Sequence, residues 1–198
     1  MTALTLNVDA IARLTLDQFH ELCRANRDIR LELTAKGELV LMPPTGWQSG
    51  KWNATLTTAL SLWNSQVGLG VVFDSSTGFI LPNGSVRSPD VAWVTSERIK
   101  ALNPDPEGFL PLALDFVIEL RSASDHLKSL QNKMQEYIDN GVRLGYLLNP
   151  QDQTVEIYRM GQPVEILQWP AEVLAEAVLP GFVLNLKDVF AQHLNNRW

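Results

Sequence analysis

The sequence predicts an α/β fold, a mixed β-sheet with helices packed on it, and three observations carry that prediction. A strand–helix–strand unit spans residues 114–149: apolar "LDFVIELR", then "SDHLKSLQNKMQEYIDNG", then "RLGYLLNP". A strand that returns parallel to its predecessor needs such a crossover. Elsewhere the chain alternates apolar and polar residues between turn signals, the pattern of hairpins. No repeat, low-complexity linker or break in composition divides the 198 residues, so a single domain over 1–198 is expected.

The elements follow in order. Thr15 is placed to cap a first helix whose Leu16, Phe19, Leu22 and Cys23 recur at helical spacing. Two alternating runs in "IRLELTAKGELVLMPP" meet at Ala35-Lys36-Gly37-Glu38, and Pro43 and Pro44 end the hairpin. "GWQSGKWNATLTTALSLWNSQVG" predicts a long helix with Trp52, Leu56, Ala59, Leu60 and Trp63 on one face. Beyond Gly68 come short strands, "GVVFDS" and "TGFILPNGSVRSPDVAWV", the latter turning at Pro82-Asn83-Gly84. The loop "NPDPEG" precedes "ALDFVIELR". The clearest helix follows, with Ser124 or Asp125 as its cap. Leu127, Leu130, Met134, Tyr137 and Ile138 form its stripe, and Gly141 lies past its end. "RLGYLLNP" and "QTVEIYRM" turn at Asn149-Pro150-Gln151-Asp152, and the tail predicts further short strands and a last helical turn or two.

Composition excludes several classes. Hydrophobic content of 45% and charged content of 19% suit a globular protein, and no segment is long and apolar enough to span a bilayer. "MTALTLNVDAIARL" is a poor secretion signal. Cys23 is the only cysteine, which forbids an internal disulfide and makes a reducing cytoplasm the expected compartment. A net charge of −6 argues against nonspecific coating of nucleic acid, yet leaves room for a local basic cleft around an acidic, metal-holding centre. His20, His126 and His193 are too dispersed for a zinc pattern. Gly68-Leu69-Gly70 lacks dinucleotide-binding spacing, and no G-x-S-x-G element surrounds Ser122 or Ser124. Trp47, Trp52 and Trp63 could mark an interface, although core packing is the commoner explanation for Trp63.

Two carboxylates stand out. Glu119 continues a buried strand, and Arg121, two residues on, points to the same face of an extended chain. A buried charge needs a partner, and an ion pair with Arg121 is the simplest one. Asp90 follows a proline and enters another apolar strand, where strand-start aspartates are common. If these two strand ends adjoin, their carboxylates at ~4 Å would repel by about 4 kcal/mol at an effective dielectric of 20. A divalent cation turns that cost into a binding site, and magnesium takes one or two carboxylates together with waters and phosphates. The third component is a cation. Arg121 stays protonated and cannot act as a base. Lys133 falls at the edge of the Leu130/Met134/Tyr137 stripe, where a snorkelling lysine is the commoner reading, and Lys128 points away.

"MPPTG", "SPDVAWV", "DFVIELRSASD", "KMQEYIDNGVRLGYLLNP" and "VEIYR", in that order, resemble the Uma-two family. Its members are described as restriction endonucleases, are frequent in cyanobacteria and are placed in the PD-(D/E)XK nuclease superfamily. The resemblance runs from about Leu14 to about Phe190, so the domain core is expected there. It implies a restriction-endonuclease-like fold, a central mixed sheet flanked by helices with additional hairpins. It also implies a Mg²⁺ site (Mn²⁺ substituting) that hydrolyses DNA phosphodiesters, and a homodimer. Carried over, Asp90 and Glu119 are the metal ligands, and Arg121 falls where the superfamily has a lysine. Lys133 becomes the candidate migrated lysine, and Gln131 or Gln48 candidates to position water. Gln48 stands where relatives often carry a glutamate, a change that should weaken the metal site. "SAS" in place of "SPS" is expected to be tolerated. The competing expectation is a catalytically degenerate member that binds DNA or a protein partner without cleavage, which Arg121, Gln48 and the acidic charge favour.

Overall fold

A computed structural model describes residues 4–6, 13–175 and 178–190; His193 lies outside them. The N-terminal part comprises β1 (Leu4–Leu6), α1 (Leu16–Ala25), β2 (Arg30–Leu33), β3 (Leu39–Met42) and the long α2 (Trp47–Val67). Then come β4 (Gly70–Asp74), β5 (Phe79–Ile80), β6 (Val86–Arg87), β7 (Val91–Thr95) and α3 (Ser96–Leu102). The strand–helix–strand unit is β8 (Phe116–Leu120), α4 (Leu127–Asp139) and β9 (Leu144–Asn149). The chain closes with β10 (Thr154–Arg159), β11 (Glu165–Gln168), β12 (Glu172–Leu174), β13 (Val183–Asn185) and α5 (Leu186–Phe190).

A six-stranded mixed sheet in the order β11-β10-β9-β8-β7-β4 forms the centre. Only β8 and β9 run parallel, as the α4 crossover requires, and the other pairs are antiparallel. A second, five-stranded sheet, β1-β3-β2-β6-β5, carries the N-terminal hairpin, and β12 and β13 form a small ribbon. Alternation along β8 divides the core. Phe116, Ile118 and Leu120 pack with Trp52, Leu56 and Leu60 of α2, whereas Val117 packs with Met134 and Tyr137 of α4. Phe19 of α1 covers Leu33, Leu39 and Val86 of the second sheet.

Most elements lie where the sequence places them, including the helix capped by Thr15, where Gln18 completes a capping box, and the hairpin turning at residues 35–38. Three features differ. The α3 helix has only seven residues, too few to show a period, although Thr95 caps it by accepting the Arg98 N–H. The N-cap of α4 is His126 and has no side-chain bond; Asp125 instead accepts from the Ser122 N–H and hydroxyl, closing the loop before the helix. The alternating runs divide between two sheets, so β2 and β3 do not extend the central one. Trp52 is buried and Trp63 packs on Trp93 and Phe182, while Trp47 is 78% exposed. Among the described residues no helix is long and apolar enough to cross a membrane.

Asn64, near the end of α2, fastens that helix to the sheet. Its Oδ1 accepts from Gly70 N (3.1 Å) and Trp93 Nε1 (2.9 Å), and its Nδ2 donates to Gly70 O (2.8 Å). A Cβ on Gly70 would stand 2.4 Å from Trp93 Cε2 and from the Val94 carbonyl oxygen, and neither the indole nor the backbone can yield cheaply. Gly70→Ala is therefore expected to cost about 2–3 kcal/mol in chemical denaturation. An unchanged midpoint would contradict this packing.

Candidate active site

Glu119 shares its strand face with Val117, so its carboxylate points to α4 and is 4% exposed. Two side chains of that helix, one turn apart, meet it at the same oxygen. Lys133 Nζ and the Tyr137 hydroxyl each lie 2.9 Å from Oε1, and Glu119 lines a cleft. Lys133 also pairs at 2.9 Å with Oε1 of Glu32, which reaches in from β2. Glu32 is held in turn by Arg87 (3.1 Å) and by the Ser88 N–H (2.9 Å). The Arg87 Nε donates to Glu136 of α4 at 2.7 Å.

Asp90 stands immediately before β7. The pairing of Val91 with Ile118 puts it one step on, opposite Glu119. Its Oδ2 accepts the Leu120 N–H and its Oδ1 accepts Asn53 Nδ2 from α2, both at 2.8 Å. Asn53 Oδ1 is buried and receives no donor. Asp90, Glu119 and Lys133 open into one cleft of about 560 Å³. The β2–β3 hairpin forms one wall of this cleft and α4 another, and Thr45, Ser49 and Asn53 close a third side.

Burial dominates the electrostatics. It pushes the Glu119 pKa up to about 7, against the opposing pull of Lys133 and with added repulsion from Asp90 and Glu32. Asp90 is raised for the same reason, although the Leu120 N–H and Lys133 favour its charged form. At Glu32 burial is outweighed by Lys133 and Arg87, and its pKa is lowered. Burial would lower the Lys133 pKa, but Glu119 and Glu32 raise it, so the side chain stays an ammonium. Four carboxylates (Glu32, Asp90, Glu119, Glu136) face two cations (Arg87, Lys133), leaving two negative charges uncompensated when all are ionised.

Among the described residues no three His, Cys, Asp or Glu side chains gather into a full metal shell. The donors that are present still fit a hard divalent cation, which takes one or two carboxylates and fills its remaining positions with water and substrate. Asp90 and Glu119 supply those carboxylates, the surplus charge is of the right sign, and an unpaired amide oxygen of Asn53 lies beside Asp90.

The remaining residues singled out in the sequence lie elsewhere. Arg121 sits past the end of β8 and binds Asp152 (2.8 Å), Asn149 (3.1 Å) and the Asp125 carbonyl. It pins the β9–β10 turn and does not line the cleft. Gln131 donates to Glu156 of β10 at 2.8 Å, and Gln48, in the first turn of α2, does not line the cleft either. Sequence reasoning missed Glu32, Asn53, Arg87 and Glu136, and took Tyr137 for a core residue only. Lys133, Glu136 and Tyr137 at i, i+3 and i+4 were the available signal.

The raised Glu119 pKa has a consequence for stability. Between pH 4.5 and about 7 the folded protein holds a proton that the unfolded chain has released, so stability falls as pH rises through that window. The loss amounts to at most about 3 kcal/mol. Thermal melts in EDTA should show this slope in the wild type and a flatter one in Glu119→Gln; equal slopes would contradict the assignment.

The comparisons with known proteins bear on the fold and the family. No curated protein matches the chain. A crystal structure from Anabaena variabilis, described as "a putative nuclease belonging to DUF820", shares the fold with a TM-score of 0.76 and 19% identity. The match covers 90% of this chain and 98% of that one. The profile of the family Uma2, described as "Putative restriction endonuclease", matches residues 16–187. The chain therefore belongs to the Uma2 family.

Proposed function

We propose that the protein is a metal-dependent endonuclease that hydrolyses DNA phosphodiester bonds, with Mg²⁺ as its cation and Mn²⁺ as a substitute. The observation that carries this reading is the meeting of Asp90, Glu119 and Lys133 in one cleft with surplus negative charge. Membership of a family described as restriction endonucleases supports it. Asp90 and Glu119 hold the cation, which when bound polarises a phosphodiester and lowers the pKa of a water molecule.

The protein's own groups supply the rest. The Leu120 N–H and Asn53 fix the Asp90 carboxylate, and Tyr137 and Lys133 fix that of Glu119. Lys133, kept protonated between two carboxylates, stabilises the charge that builds on the phosphate oxygens rather than taking a proton from water. The superfamily's strand lysine is thus replaced by a lysine of α4, which meets the objection that Arg121 raised. A dimer about a two-fold axis would provide one such site for each strand of a duplex.

The test is cleavage of supercoiled plasmid and end-labelled oligonucleotides, single- and double-stranded, in Mg²⁺ and in Mn²⁺. Asp90→Ala and Glu119→Ala should abolish cutting, and Lys133→Met should slow it by about 10²–10³-fold. Folded wild-type protein that cuts none of these substrates, or an Asp90→Ala variant that cuts as well as wild type, would refute the reading and leave a binding role.

A further inference from the structure

We propose that Glu32 is a positioning residue of the active site and that the β2–β3 hairpin of the second sheet is thereby part of the catalytic apparatus. Its side chain is 3% exposed and engaged on both oxygens. Oε1 accepts from Lys133 Nζ and from the Ser88 N–H, each at 2.9 Å, and Oε2 pairs with Arg87. Ser88 lies two residues before Asp90. One oxygen of Glu32 therefore joins the lysine of α4 to the segment that carries an acid of the cleft. This sets the spacing between two groups that come from different elements.

The contact also divides the lysine's attention. Without Glu32, the ammonium would keep Glu119 and the face of the Tyr137 ring, 5.8 Å from its centroid. It would then be free to swing into the cleft or to hold Glu119 against the cation. Arg87, itself tied to Glu136, keeps Glu32 from following the lysine. The catalytic part of this inference rests on the nuclease reading, because it assumes that Lys133 acts on substrate. The tether itself does not.

Two arms test it. In the first, amine acylation followed by mass spectrometry compares Lys133 with exposed Lys128 of the same helix. Lys133 should react much more slowly in wild-type protein and several-fold faster in Glu32→Gln. Glu32→Asp, which draws the carboxylate back by one methylene, should show the same rise and serves if the glutamine variant does not fold. An unchanged Lys133 rate would overturn the tether. In the second, Glu32→Gln should lower kcat by about 10²-fold, the cost of misplacing a group by roughly 1 Å, with KM for DNA little changed. In a Lys133→Met background the same substitution should cost almost nothing. Multiplying effects would mean that Glu32 acts independently of the lysine and would overturn the proposal. A wild-type protein without cleavage would remove the nuclease reading, while the acylation arm would still decide the tether.

Discussion

The molecule is organised around the compensation of one buried carboxylate. Glu119 occupies a strand with all five residues buried, in the middle of the central sheet, where an isolated charge would be strongly disfavoured. Its surroundings are built to answer that cost. The α4 crossover, which a parallel β8–β9 pair demands, brings Lys133 and Tyr137 over it on one helical face. Burying Lys133 then calls for a second carboxylate, which the second sheet supplies as Glu32, and Arg87 and Glu136 extend the chain of pairs. Each ion is tolerated because its neighbour is in place, and the pairs link the second sheet to α4 and, through it, to the central sheet.

The pairing stops short of neutrality, and the surplus lies where β7 and β8 bring Asp90 beside Glu119. Ionisable groups with perturbed pKa values at the floor of a cleft mark it as a candidate functional site. Both acids have raised pKa values, chiefly because burial disfavours their charged forms.

Legibility in the sequence followed how local each signal was. The strand–helix–strand unit and the hairpins could be read because their periodicity lies within single segments. Asp90 and Glu119 stood out because a carboxylate in an apolar strand breaks the local rule, and such breaks concentrate at functional sites. Glu32 gave no such sign: in "RLEL" it occupies what looks like the solvent face of an exposed hairpin, and the groups that meet it there, Lys133 of α4, Arg87 of β6 and the Ser88 N–H, come from distant parts of the chain. Arg121 misled for the opposite reason. Strand parity assigned it to the face of Glu119, but the strand ends at Leu120 and the side chain turns to Asp152 and Asn149, 31 and 28 residues away. Lys133 looked like a border lysine because spacing along a helix cannot reveal what approaches from another sheet.

The central claim is that Asp90 and Glu119 together hold a divalent cation. Calorimetric titration of Mn²⁺ and Mg²⁺ into the folded protein, with and without a non-cleavable DNA duplex, tests it without requiring knowledge of the target sequence. The account predicts one site per chain that disappears in a folded Asp90→Ala/Glu119→Ala variant. No binding at millimolar metal even with DNA present, or binding that survives in the double variant, would contradict it.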